Sequence, residues 1–406
     1  MTPLHKYKHI IFLRNPEEPP AWGGLEKLML DWFKCINFNE CEITLGISSH
    51  WVDLFKSKLR EEQITVKVIA LPYGHKQGNI LTRFFKLFIF LRKLKPTSVV
   101  FMQGWFFSFN LAEVLSGFLA AHGNIYMHEN LGSPIPAPKS SKRHFGLIHG
   151  LGIWWHIQIR LAMLRACLSK KIMVVSHEIR EILISMWHYP ASKILVQYHG
   201  IDLGHFHPSQ EIRQKMRQSL NISPQETVIV AASRLSKVKC IDRTIKAFDI
   251  LSRQRSDLTL IITGSGLLEE NLKALSLSMP CANKILFTGH VDNIYDYFKM
   301  SDVYVLSSDN EGFGMALIEA MATGLICVAT KCPGPNEIIQ DAVNGFLVEK
   351  SNEGVLEGLK NALGLSIAEQ AKIRERAVRF VSENFELNSR IKNVFDVLGI
   401  KCLEGT

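Results

Sequence analysis

Val303-Tyr-Val-Leu306 runs directly into Ser307-Ser-Asp-Asn-Glu-Gly-Phe-Gly-Met-Ala-Leu-Ile-Glu-Ala-Met-Ala-Thr-Gly324. A four-residue β-branched and apolar run reads as a buried strand, and the glycine-punctuated segment after it reads as a loop that opens a helix near Gly314 or Met315. That order places free backbone N–H groups and the positive end of a helix dipole at the carboxyl edge of a sheet, where phosphate binds well. Gly312 and Gly314 let the backbone approach a ligand. Glu311 before the helix and Glu319 about a turn inside it bracket the place, so one carboxylate could meet a sugar and the other a ribose diol; a capped helix with ordinary surface acids has the same spacing.

Upstream, Ala232-Ser-Arg-Leu-Ser-Lys-Val-Lys-Cys-Ile-Asp242 follows the apolar run Thr227–Ala231. Arg234 and Lys239 therefore sit after a strand end, where two fixed cations suit a diphosphate, although a solvated basic loop also fits. Near the start, Pro19-Pro-Ala-Trp-Gly-Gly-Leu-Glu-Lys27 sets Gly23 and Gly24 between a first strand and a helix, as a tight β–α turn or a ligand approach would require.

The same strand–helix rhythm repeats over the 406 residues, with apolar runs at 10–13, 42–47, 66–69, 98–102, 124–127, 171–175, 227–231, 258–262, 284–287, 303–306 and 326–329. Such alternation predicts α/β architecture with parallel sheets and crossover helices. A chain this long exceeds the usual size of one core, so two Rossmann-like domains are expected. They are read as 1–198 and 199–380, with a C-terminal helix at 381–406 that can pack back on the first domain.

The net charge of +9 is uneven: residues 1–200 hold 24 Lys/Arg against 13 Asp/Glu, and residues 201–406 hold 23 against 25. Two acid-free stretches, between Glu62 and Glu113 and between Glu129 and Glu178, carry seven Lys/Arg each. Both interleave cations with aromatics: Phe84, Phe85, Phe88 and Phe90 among Arg83, Lys86, Arg92, Lys93 and Lys95, then Trp154-Trp155 among Arg143, Arg160 and Arg165. This mixture suits contact with an anionic membrane surface, and equally an amphipathic packed helix. No recognition motif accompanies the charge, so nucleic acid is not an expected partner.

The eight cysteines form no Cys-x-x-Cys pair, which argues for reduced thiols in a cytoplasmic setting and against a zinc ribbon. The N-terminal apolar run before Arg14 is too short for a signal-peptide core, and residues 98–121 divide into strand and helix rather than forming a membrane span. Gly264-Ser-Gly266-Leu-Leu-Glu269 lacks the third glycine of a dinucleotide fingerprint. No Asp-x-Asp triplet is present to hold a divalent ion against a diphosphate, so no metal or other cofactor is expected and protein cations must neutralise the charge. His128, after the strand at 124–127, is expected to face a cleft from a sheet edge, where an imidazole can donate to a sugar hydroxyl.

Taken in order, Gly23-Gly24-Leu-Glu26, His128, Val174-Val-Ser176, Tyr198-His-Gly-Ile-Asp202 with Phe206, Ser233-Arg-Leu-Ser-Lys-Val-Lys239, Thr263-Gly-Ser-Gly266, Phe287-Thr-Gly-His290 and Glu311-x7-Glu319 resemble glycosyltransferase family 4 over nearly the whole chain. The resemblance implies the GT-B fold, two facing Rossmann-like domains with a cleft between them, and transfer with retention from a nucleotide diphosphate sugar. It implies that Arg234 and Lys239 hold the departing diphosphate with Gly24 and the N–H groups of Gly312, Phe313 and Gly314. Glu319 would then bind the ribose, Glu311 the donor sugar and His128 the donor sugar near the acceptor side; Gly23 and His290 belong to the binding motifs.

Cys240 stands where many relatives have glycine, and His199 where asparagine is frequent. Lys331-Cys-Pro-Gly-Pro-Asn-Glu-Ile-Ile339, which places Asn336 and Glu337 near the donor, resembles the version in lipopolysaccharide and capsule transferases and favours UDP-sugars. The expectation is a metal-independent hexosyl or N-acetylhexosaminyl transferase acting on a lipid-linked or surface-glycan acceptor at the inner membrane face. A catalytically silent subunit of the same fold and a nucleotide-sugar epimerase are the alternatives.

Overall fold

A computed structural model of the chain describes residues 8–15, 24–73, 79–103, 109–130 and 147–403, the side chains of 147–155 excepted. Gly23, Arg143 and the Trp154 and Trp155 side chains lie outside the described residues. The chain divides into two compact units, 1–198 with 388–406, and 199–387.

The first unit is built on β1 (Lys8–Arg14), β2 (Cys41–Ile47), β3 (Lys67–Ala70), β4 (Ser98–Gln103), β5 (Ile125–Glu129), β6 (Lys171–Val174) and β7 (Ile194–Val196). These strands form one parallel sheet in the order β3-β2-β1-β4-β5-β6-β7. Its crossovers are α1 (Gly24–Lys34), α2 (Val52–Glu61), α3 (Ile80–Leu94), α4 (Leu111–Ala120), α5 (Leu147–Leu168) and α6 (His177–Ser185). Helices cover both faces, so β1 and β4 are apolar without alternation: Ile10 to Leu13 and Val99 to Met102 are fully buried. The start of α4 is set locally by a capping box, in which the Asn110 side chain accepts from the Glu113 N–H and Glu113 accepts from the Asn110 N–H.

The second unit begins with α7 (Gln210–Ser219), followed by β8 (Thr227–Ala232), α8 (Ile241–Ser252), β9 (Leu258–Thr263), α9 (Glu269–Leu277), β10 (Ile285–Gly289), α10 (Ile294–Met300), β11 (Val303–Leu306), α11 (Met315–Ala322), β12 (Ile326–Thr330), α12 (Pro333–Ile338), β13 (Phe346–Val348), α13 (Asn352–Gly364) and α14 (Ile367–Asn384). Its parallel sheet runs β10-β9-β8-β11-β12-β13. The strand order reverses between β1 and β4 in one sheet and between β8 and β11 in the other. At such a reversal the flanking crossovers leave to opposite faces and a crevice opens at the carboxyl ends of the strands.

The boundary expected at 380 falls inside α14, which runs unbroken to Asn384. The expected single C-terminal helical stretch is broken at Phe385 and Glu386, where Glu386 bridges Ile201, before α15 (Leu387–Leu398) begins. Residues from 388 onward belong to the first unit. There Ile391, Val394, Phe395 and Leu398 are buried, and the tail is tied by Asn37 N–H to Lys401 O (3.1 Å) and Leu403 N–H to Cys35 O (3.0 Å). Phe395→Ala is expected to cost about 3–5 kcal/mol through lost burial and the cavity left behind. Urea unfolding of the variant checks it, and an unchanged midpoint would show that α15 does not support the core.

Candidate active site

At the β8/β11 reversal two loops are stitched together. After β8 the chain passes Arg234, which is exposed, and makes a single 3-10 turn, Lys237–Lys239. Cys240 then caps α8 at φ 47° and ψ 43°, in the left-handed region. A Cβ there costs about 1 kcal/mol, which gives the departure from glycine at this position a price in backbone strain but removes no charge.

The loop after β11 reaches back to this turn. The Asp309 N–H donates to Val238 O (2.8 Å), and the Ser307 hydroxyl donates to Cys240 O (2.9 Å) and Lys239 O (3.1 Å) while accepting from the Thr244 hydroxyl (3.0 Å). Arg243 holds Ser307 O (3.2 Å) and the Asp309 carboxylate (2.7 Å). These bonds bring the Lys239 ammonium onto the Glu311 carboxylate, with which it forms a hydrogen-bonded ion pair; both side chains are largely buried. Two oppositely charged groups 72 residues apart thus meet at the reversal.

Gly314 adopts φ 100°, which a side chain would strain, and no side chain caps the first turn of α11 behind it. Gly334 N–H donates to Glu311 O (3.2 Å), fastening α12 to the loop. Phe313 is buried with its ring edge-on to those of His199 and Phe385, both at 5.3 Å. Glu319, on α11, is 6% exposed. Asn336 and Glu337 lie at the end of α12.

Tyr304 on β11 was not singled out from the sequence, where it reads as a strand residue. Its hydroxyl is buried with no hydrogen-bond partner among the described residues, and burial, then the charge of Glu311, raises its pKa well above the usual phenol value. His290 follows β10, the outer strand of the sheet, is exposed, and lies 3.7 Å from Asp292. It makes no contact with the Lys239–Glu311 pair among the described residues.

In the first unit, Gly24 opens α1. Glu26, in the same motif, forms a buried ion pair with Arg14 at the end of β1 (2.9 Å), so this carboxylate ties the helix to the strand. His128 lies inside β5, which runs two residues further than expected, to Glu129. Its imidazole does not stand open at the sheet edge: it is fully buried, with the Trp32 ring edge-on at 5.2 Å, because α1 packs over this end of the sheet.

Burial alone lowers the His128 pKa to about 4. Burial raises that of Glu129 to about 7, against the opposing charge of Arg165. Glu129 accepts from the Gln103 amide (3.1 Å), while Arg165, also buried, donates to Phe109 O (2.6 Å).

The two neighbours titrate with opposite effect on stability. Neutral His128 in the fold takes no proton between pH about 6.5 and 4 while the unfolded chain does, so its contribution to stability falls as pH falls through that window. Glu129 in the fold keeps its proton up to about 7 while the unfolded chain loses it near 4.5, so its contribution falls as pH rises through that window. Glu129→Gln removes only the second effect, and its melting temperature should gain on the wild type as pH rises from about 5 to about 8. A constant difference across that range would refute the assignment.

Residues 212–379 match the family model described as Glycosyl transferases group 1. Over 188 residues the chain is 32% identical to an uncharacterized glycosyltransferase of Methanocaldococcus jannaschii, covering 45% of this chain and 48% of that protein. Over 205 residues it is 31% identical to the N-acetylgalactosamine-N,N'-diacetylbacillosaminyl-diphospho-undecaprenol 4-alpha-N-acetylgalactosaminyltransferase of Campylobacter jejuni, covering 49% and 53%. The alignments span about half the length of these relatives. The crystal structure of Anabaena HepE in complex with UDP and glucose superposes with a TM-score of 0.76 at 21% identity, covering 96% of this chain and 99% of that one. The chain therefore has the GT-B fold, and residues 212–379 of its second unit are similar to the glycosyl transferases group 1.

Proposed function

We propose that this protein is a retaining, metal-independent glycosyltransferase that moves a hexose or N-acetylhexosamine from a UDP-sugar to a lipid-linked or surface-glycan acceptor. The observation that carries the reading is the Lys239–Glu311 pair, held by two stitched loops beside an uncapped helix start. Charge-assisted bonds from Lys239 and Arg234, with the N–H groups at the start of α11, would neutralise a diphosphate as its bond to the sugar breaks. Glu311 would stabilise positive charge at the anomeric carbon, and Glu319 would accept from the ribose hydroxyls. In the step proposed, the C1–O bond to the diphosphate breaks, the acceptor oxygen bonds to C1 on the same face, and the acceptor proton passes to the leaving phosphate oxygen. The UDP and glucose named with HepE and the diphospho-undecaprenol named with the Campylobacter relative support the donor and acceptor classes.

The proposal puts the donor on the second unit and the acceptor on the first. Purified protein supplied with UDP-, GDP- and ADP-sugars should release UDP and sugar slowly without acceptor. Lys239→Ala or Glu311→Gln should lower this turnover about 100- to 1000-fold, as loss of one transition-state contact does, while a chelator leaves it unchanged. Near-wild-type turnover in both variants would overturn the site, and loss of activity with the chelator would overturn the metal independence.

A place at the inner membrane face is proposed from α3. Leu81, Phe85 and Ile89, 68%, 55% and 53% exposed, recur every four residues on its outer face, and Lys86, Arg92 and Lys93 are exposed nearby. Leu115 and Leu119 of the adjoining α4 are exposed as well. Rings and aliphatic chains of this kind enter headgroups while the cations meet anionic lipid. No helix among the described residues is long and apolar enough to cross a membrane. Flotation with vesicles containing phosphatidylglycerol should carry the protein upward at low salt, and a Leu81→Glu/Phe85→Glu variant should stay behind. Equal flotation of the two would refute the surface.

A further inference from the structure

The other edge of the second sheet holds a cavity that the proposed transfer does not use. It has a volume of about 700 Å³ and is lined by residues that precede β11 and β12, together with the start of α7 and one side of α14. The donor-site residues follow β8 and β11, so the cavity lies at the opposite ends of the strands, and α11 runs from Gly314 at one site to Thr323 at the other.

Arg213, Lys299, Arg374 and Arg379 line the cavity, against one carboxylate, Glu375. Arg379 pairs with Glu375 at 3.1 Å. Behind the wall a single carboxylate, Asp302, is shared by two guanidinium groups, Arg213 at 2.6 Å and Arg217 at 2.7 Å. Asp302 is thus already committed, and Arg374 reaches only its main-chain oxygen, at 3.4 Å. Lys299 is 7% exposed and sits over the Tyr295 ring at 5.4 Å, with no carboxylate paired to it among the described residues. Apart from the solvent-exposed Arg379–Glu375 pair, four cations that are at least partly buried, Arg213, Arg217, Lys299 and Arg374, stand among the described residues with Asp302 and with Glu226, whose charge acts on Arg217.

The Arg374 pKa is lowered by burial, with Asp302 opposing and the like charge of Arg213 adding to the fall. Such an excess of partly buried positive charge is repulsive by itself and is relieved by an anion. Planar guanidinium groups bind phosphate oxygens through two parallel N–H donors, which a monoester phosphate matches. The rest of the lining includes Ser209, Ser301, Thr323 and Ser382, whose hydroxyls suit a polyhydroxylated body.

We infer that this cavity is a second ligand site, separate from the donor site, for a phosphate monoester of a sugar or polyol, with Arg374 and Arg379 gripping the phosphate and the serine and threonine hydroxyls meeting the polyol. D-glucose 6-phosphate is the probe. Titration calorimetry on the full chain should give saturable binding that persists in excess UDP and is unchanged in Lys239→Ala, even if that variant has lost donor binding. Arg374→Gln and Arg379→Gln should each weaken it about tenfold, the loss of one charge-assisted contact. Glu375→Gln should strengthen it about threefold, a gain that misfolding cannot produce. Inorganic phosphate should bind more weakly, and glucose not at all. The inference fails if D-glucose 6-phosphate does not bind at millimolar concentration, if UDP displaces it, if neither arginine variant weakens it, or if inorganic phosphate binds as tightly as D-glucose 6-phosphate.

Discussion

Everything at the donor-site candidate depends on the crossing of two loops at the β8/β11 reversal. Ser307 is the joint: its one hydroxyl bonds the main-chain oxygens of Lys239 and Cys240 on one loop while its own backbone belongs to the other. Lys239 and Glu311 are then presented to each other by backbone that is already ordered. Lys239 and Glu311 neutralise each other in a largely buried setting, where either charge alone would carry a desolvation penalty of several kcal/mol. The pairing therefore lets the fold hold both charges at the candidate site.

The two units handle buried charge differently. In the first, the closed ion pair Arg14–Glu26 ties α1 to the sheet and Arg83–Glu113 ties α3 to α4, while His128 and Glu129 are pushed toward neutrality by burial. In the second, the cations outnumber their partners around Asp302, and the excess faces a cavity. Paired charge fixes structure, whereas unbalanced charge beside open space leaves a site that a ligand can complete.

Much of the fold was legible because parallel strands covered on both faces read as unbroken apolar runs. The runs at 227–231, 258–262 and 303–306 fall within β8 and β9 and coincide with β11. The three-residue strands Ile194–Val196 and Phe346–Val348 were not legible, since so short a run carries no period and is defined only by the neighbour it bonds. Gly264 and Gly266 show the same limit. Their spacing imitates half of a dinucleotide fingerprint, but a Cβ on either would strike the main-chain oxygens of Ser233 and Leu235, at 1.9 and 2.5 Å. They are small so that the β9 loop can lie against the β8 loop.

Local sequence determined the parallel α/β class, the glycine-opened start of α11 and the residue types available for a diphosphate, because strand apolarity, helix caps and left-handed turns are properties of a few neighbouring residues. Tertiary structure alone decided which of those residues meet. Lys239 reaches Glu311 through bonds between loops far apart in the chain, His128 is sealed under Trp32 by the packing of α1, and the arginines of α7 and α14 gather around one aspartate because two distant helices share an edge of the sheet. Long-range proximity of this kind is set by the order of strands, and strand order leaves no mark on any single stretch of sequence.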